Sequence, residues 1–261
     1  MLNIAKLILE NRIIINTSLQ RETITQRQAE EEEDDPKYEE DDDQFNATDR
    51  VLLQSAFTLY YNQLRDKADF YRSVEKAMTF SQMMERGSEI PQFKNKHTGK
   101  ILELCTSIAK LAETYSKQQC THLTRIFLNK LTADAKRFLI SSTVNLVDHF
   151  DEADIEIQTE ESLSFYEEAI RLADGEEQGF GALRKCNALR LQVYNNYAVF
   201  KREIQGKKQE SLQVVRQTLK EAEGDLENEK NSVRFDESKR MIQLLRENIQ
   251  AWESDEKDQE Q

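Results

Sequence analysis

Seven glycines and two prolines in 261 residues leave this chain little material for tight turns, and that shortage narrows its fold more than any other feature. Hairpins draw on Asn-Gly, Asp-Gly or Gly-X turns, and most nucleotide-binding folds need Gly-rich loops. A chain poor in both is expected to be helical. Lys, Arg, Asp and Glu supply 33% of the residues, the share expected when each helix buries one stripe and solvates the rest of its circumference.

The formal net charge of −13 argues against nucleic-acid binding, which rests on clustered Lys and Arg neutralising phosphates. Cys105, Cys120 and Cys186 are an odd count without paired short spacing, so neither a disulfide framework nor a zinc site is indicated. The start, Met1 to Ile15, is apolar but interrupted by Lys6, Glu10 and Arg12, which suits neither a signal peptide nor a membrane span. These readings point to a cytoplasmic protein, with the nucleus also open to it, and no membrane partner.

Residues 1–45 read as a short amphipathic helix followed by an acidic linker. Glu30 to Asp35 and Glu39 to Asp43 flank Pro36, and charge of one sign at that density stays solvated. From Phe45 the pattern changes. Asn46 or Thr48 can cap a helix in which Leu52, Leu53, Ala56, Phe57, Leu59, Tyr60 and Leu64 recur at helical spacing. Gly87 to Gly99 contains Pro91 and reads as a loop. Further helices are expected through Tyr115, from His122 to Lys130, from Ala133 to Phe150, from Glu161 to Ala173, from Leu183 to Ile204, along Leu212 to Leu226 and along Met241 to Trp252. Gly175, Gly179 and Gly206 mark helix ends. The expectation is an all-α fold of about nine mostly antiparallel helices, with a helical domain over 46–254 and an acidic tail over 255–261.

Neither a GxGxxG nor a GxxxxGK[ST] pattern occurs, so no nucleotide cofactor is implied. His97, His122 and His149 are scattered, no metal-ligand spacing is present, and no nucleophile, base and orienting group can be named together. The sequence therefore reads as a protein that is not an enzyme and needs no cofactor.

The last helix carries a specific motif. Ser238, Met241 to Ile249, Trp252, Ser254 and Asp255 resemble the run MQLLRDNLxLWxSD of the 14-3-3 family. Leu189-Arg190-Leu191, Asn195 to Phe200 and Glu203-Ile204 are similar to that family's IRLGLALNFSVFYYEI segment. Tyr166 to Ala169 resembles its YQEA stretch, and Leu104-Cys105 its IC pair. The resemblance covers about Asn46 to Asp255 and weakens toward the start.

It implies a cup-shaped protomer with a concave groove for an extended client peptide. Asn196 and Asn248 match the family's groove amides, and each Asn side chain offers a donor and an acceptor to an extended backbone. Val199, Leu244 and Trp252 match positions of the flanking wall. For the phosphate the family uses a Lys, two Arg and a Tyr. Aligning Arg50 to Leu53 and Ala56-Phe57 with the family's RNLLxxAY puts Thr58 at the Lys and Arg65 at the first Arg. An alignment anchored on Lys136 and Phe138 puts Asp148 and His149 at the Arg-Tyr pair and Ser141 at a further groove Lys. A shift of a few residues still brings no Arg near Asp148, so the pocket reads as depleted under any register. Arg65 and Asp148 then pair with each other, or Arg72, two turns past Arg65, completes a weaker site.

The function implied is a phosphoserine- or phosphothreonine-peptide-binding adaptor in signalling, with an atypical phosphate pocket. The alternative is a scaffold of the same fold that binds unphosphorylated peptides or other family members. Dimers of the family form when the first helix of one chain packs on the third and fourth of the other. Ala5-Lys6-Leu7 resembles that first helix, so a homodimer or a heterodimer with another family member is expected.

Overall fold

The computed structural model describes residues 47–78, 89–117, 120–176, 181–226 and 235–259. Among them are seven helices and no strand: α1 Ala47–Ala77, α2 Glu89–Ser116, α3 His122–Leu146, α4 Glu152–Ala173, α5 Ala188–Glu203, α6 Lys208–Leu226 and α7 Phe235–Gln259. The all-α class follows the sequence. The first helix and acidic linker expected over 1–45 lie outside the described residues.

The chain divides into two compact units, whose boundary falls within α4 after Phe165. In the first unit α1, α2 and α3 pack on one another. Leu53, Phe57, Tyr61, Leu64 and Ala68 form the buried stripe of α1, against Ile101, Leu104, Cys105, Ile108 and Ala112 of α2 and Ile126, Phe127, Leu131 and Ile140 of α3. Each large apolar side chain so placed contributes about 1.5–3 kcal/mol. In the second unit α5, α6 and α7 pack mutually around Leu191, Ala198, Leu212, Val215, Ala222, Ile242, Leu245 and Trp252.

Several boundaries differ from the sequence expectation. Pro91 and Gly99 lie within α2 rather than in a loop. Pro91 sits in the first helical turn, where a missing N–H removes no intrahelical bond. The two helices expected around Leu131 are one, α3. Thr132 is held inside it by its hydroxyl, which donates to the Leu128 carbonyl at 2.9 Å. The helix expected from Leu183 starts at Ala188, because Asn187 caps it: its Oδ1 accepts from the N–H groups of Leu189 and Arg190 at 2.9 and 3.3 Å. α4 begins earlier than expected, at Glu152.

α4 ends as the sequence suggests. Gly175 adopts φ +75°, its N–H bonds to the Leu172 carbonyl, and the Glu176 N–H reaches back to the Arg171 carbonyl, both at 3.1 Å. This pair of bonds is the Schellman closure, which needs a left-handed residue and therefore favours glycine. Gly206, at φ +68°, follows α5.

Candidate functional site

Arg65 lies on α1 beside the buried stripe, one turn after Tyr61. Its Nη1 donates to the Tyr61 hydroxyl at 3.3 Å, and its Nε is 3.6 Å from the Asp69 carboxylate. That ion pair is about half exposed on both sides, so it contributes little. Tyr61 is buried, and its hydroxyl shares a 3.2 Å hydrogen bond with Ser142 of α3. Burial raises the Tyr61 pKa against the opposing effects of Ser142 and Arg65. The Tyr61 ring stacks on Phe138 at 4.2 Å and 11°. Over Phe138 in turn lies the guanidinium of Arg137, 4.5 Å from the ring centroid, a cation–π distance. Each member of the stack therefore carries one arginine, Arg65 at the Tyr61 hydroxyl and Arg137 over the Phe138 ring.

Thr58 is two turns before Arg65 on α1. Its hydroxyl accepts from Gln54 Nε2 at 3.1 Å, and Gln54 Oε1 accepts from Lys130 Nζ at 3.0 Å. Lys130 is in turn 2.9 Å from Asp134, both side chains almost wholly buried. Such a charge is committed to its partner, since separating a buried pair leaves an uncompensated ion. Lys136 is engaged with Glu161 and Gln158 at 2.5 and 3.2 Å.

Asp148 does not pair with Arg65. It accepts from Lys94 Nζ at 3.1 Å, and Lys94 also meets Glu75 at 2.9 Å. Burial works to lower the Lys94 pKa, but the two carboxylates outweigh it and the net shift is upward. Glu75 stands ten residues beyond Arg65 on α1, a helical rise of about 15 Å, which puts Asp148 at a different level from the arginine cluster. His149 is exposed beyond the end of α3. Arg72 is half-buried on α1 between these two levels. The arginine on the same aromatic stack as Arg65 is Arg137, to which the register on Asp148 gave no role. Its signal was the Arg137-Phe138 dipeptide itself, an arginine followed by an aromatic ring.

The second unit carries a separate polar feature. Asn196 on α5 and Asn248 on α7 are both half-buried and are joined through a third amide. Asn248 Nδ2 donates to Asn195 Oδ1 at 2.7 Å, and Asn195 Nδ2 donates to Asn196 Oδ1 at 3.1 Å. Leu244 lies one turn before Asn248 and is 37% exposed, while Val199 is half-buried against the core. Trp252 is largely a core residue, 9% exposed, with the Arg202 guanidinium 5.1 Å above its ring. The sequence supplied Asn196 and Asn248 but gave Asn195 no role.

Among the described residues no group of three or more His, Cys, Asp or Glu could hold a metal ion, and no helix is long and apolar enough to cross a membrane. Cys105, Cys120 and Cys186 are free thiols. The described residues thus form an all-α protein whose first unit carries Arg65 and Arg137 at an aromatic stack and whose second unit carries a chain of three side-chain amides. The 14-3-3 protein family matches over residues 26–253, and the chain belongs to that family of phosphopeptide-binding adaptors. It is 23% identical to 14-3-3 protein 10 of Solanum lycopersicum over 83% of this chain and 81% of the relative. It is 22% identical to 14-3-3 protein eta of Homo sapiens, covering 81% and 82%. With 14-3-3 protein 2 of Entamoeba histolytica the identity is 24%, covering 83% and 85%.

Proposed function

We propose that this chain is a non-enzymatic signalling adaptor that reads phosphoserine or phosphothreonine peptides with a two-arginine phosphate site, Arg65 and Arg137. The observation that carries the reading is that the stacked Tyr61 and Phe138 rings each carry one guanidinium, Arg65 at the Tyr61 hydroxyl and Arg137 over the Phe138 ring. Guanidinium forks bind phosphate oxygens in pairs of charge-assisted hydrogen bonds. If Arg137-Phe138 takes the place of the family's Arg-Tyr pair instead of Asp148-His149, the site lacks the lysine, where Thr58 stands, and the tyrosine hydroxyl, where Phe138 stands. Losing the lysine's charged hydrogen bond costs about 1.5–3 kcal/mol and losing the hydroxyl's neutral one about 0.5–1.5 kcal/mol, so phosphate affinity roughly thirty- to two-thousandfold below a full site is expected. The Asn196 and Asn248 amides take the sequence-independent part, matching the N–H and C=O groups of an extended client.

A second reading, a scaffold for unphosphorylated peptides, is favoured by Asp69, whose carboxylate lies 3.6 Å from Arg65 and competes for it. Titration calorimetry with a phosphopeptide and its dephosphorylated twin separates the two. The adaptor reading expects the phosphate to strengthen binding at least tenfold, and equal affinities would leave only the scaffold.

The same reading makes the protein a dimer. α1 and α2 stand in for the family's third and fourth helices, and they expose Phe70 at 62% and Phe93 at 44% on either side of Tyr71, whose ring is 5.5 and 5.4 Å from theirs. Apolar area of this kind suits the first helix of a second copy. Analytical ultracentrifugation at micromolar concentration should give twice the chain mass, shifting to one chain mass on replacing Phe70 and Phe93 by Asp. A monomeric wild type would remove this part of the proposal.

A further inference from the structure

We infer that Asn195 is a positioning residue that locks the amides of Asn196 and Asn248 in one orientation for client backbone. The inference rests on the adaptor reading and goes beyond it, because the family segment has Leu where this chain has Asn195. In a helix core that exchange is costly. Asn195 is 5% exposed, and an amide buried there without partners is unfavourable. Both halves of the amide are satisfied by the two groove candidates: Oδ1 by Asn248 at 2.7 Å and Nδ2 by Asn196 at 3.1 Å.

The bonds have a direction with consequences for binding. Asn248 turns its nitrogen toward Asn195 and therefore offers Oδ1 to a client N–H. Asn196 has its Oδ1 engaged by Asn195, which fixes the sense of its amide as well. An Asn whose amide is already oriented loses less freedom when a peptide arrives, and such preorganisation raises affinity without adding a contact. The relay also couples the amides of α5 and α7, so a change at one is felt at the other. A Leu at 195 would fill the same space and leave the Asn248 amide without the acceptor that orients it.

The test uses the full chain and a fluorescein-labelled phosphoserine peptide selected from an oriented library for binding to the wild type. Asn195→Leu is expected to weaken that peptide about tenfold while leaving the unfolding midpoint unchanged or raised, a combination that a merely structural role does not produce. In an Asn248→Ala background the same substitution should cost less than twofold, because the orientation it sets is already lost. Nuclear magnetic resonance of the Asn side-chain amides gives a readout independent of peptide. The Asn248 amide protons should exchange slowly in the wild type and near the free-solvent rate in Asn195→Leu. Unchanged peptide affinity in Asn195→Leu, or an equal loss in both backgrounds, overturns the positioning role. Fast Asn248 exchange in the wild type would show that the relay does not form, whether or not peptide binds. A wild type that binds no phosphopeptide, with slow exchange intact, would instead remove the adaptor reading and leave Asn195 without a client to position for.

Discussion

Replacing Arg65 and Arg137 together by Gln is expected to weaken phosphopeptide binding by about two to four orders of magnitude, and either alone by about one to two. The size follows from the chemistry of the contact. Each guanidinium offers two parallel N–H donors to a phosphate carrying nearly two charges, and glutamine is shorter and keeps neither the charge nor the fork. Arg65 is 41% exposed, so its loss should barely disturb folding. Arg137 lies on the Phe138 face, and its loss should cost a modest cation–π contribution of about 0.5–1 kcal/mol. Affinity for the dephosphorylated twin should hold within a few-fold. The arginine contribution should also shrink as salt rises, because ion pairing near the surface is screened over about 10 Å at 0.1 M. Calorimetry of four proteins against two peptides settles the matter: a double variant that still prefers the phosphorylated peptide as strongly as the wild type would place the phosphate elsewhere.

A larger effect on stability is expected at Gly175, where Ala should destabilise the protein by about 3 kcal/mol or more. Two costs combine. At φ +75° a side chain meets the left-handed penalty of about 1–2 kcal/mol. The added Cβ would also fall 2.4 Å from the Ala182 backbone nitrogen and 2.7 Å from its Cα, atoms that move only if the chain after α4 moves. The Leu183 N–H, bonded to the Ala173 carbonyl at 2.8 Å, would be strained with them. Gly99 makes the contrasting control. It lies inside α2, a Cβ there meets nothing within 4 Å, and Ala should stabilise by about 0.5–1 kcal/mol. Urea unfolding midpoints measure both, and Gly175→Ala within 1 kcal/mol of the wild type would contradict the closure described for α4.

What the sequence disclosed and what it withheld divide along amphipathic pattern. α1 was legible because Leu53, Phe57 and Leu64 bury one stripe of an otherwise solvated helix, and α7 because Ile242, Leu245 and Trp252 do the same. α3 was not. Every residue from Ile126 to Lys136 is buried, so this stretch has no polar face to set a register, and its buried polar members Lys130 and Asp134 resemble surface charges until their 2.9 Å pairing is seen. That is why the alignment settled on Asp148, whereas the proposed phosphate site uses Arg137. Pro91 misled for a different reason, since proline serves the first turn of a helix as readily as a loop. Asn196 and Asn248 were visible through the family motif, whereas Asn195 was hidden because its value lies in a bond to α7, 53 positions away in sequence.

The placement of Trp252 decides how unfolding of this protein will look in the laboratory. It is the single tryptophan of the chain, buried in the core of the second unit with a cation above its indole, while the first unit is reported only by tyrosines such as Tyr61. Emission excited at wavelengths selective for indole will therefore follow one unit, and far-ultraviolet dichroism will follow the helices of both units. Coincident transitions by the two probes mean that both units melt as one cooperative body, and separated transitions mean that they do not.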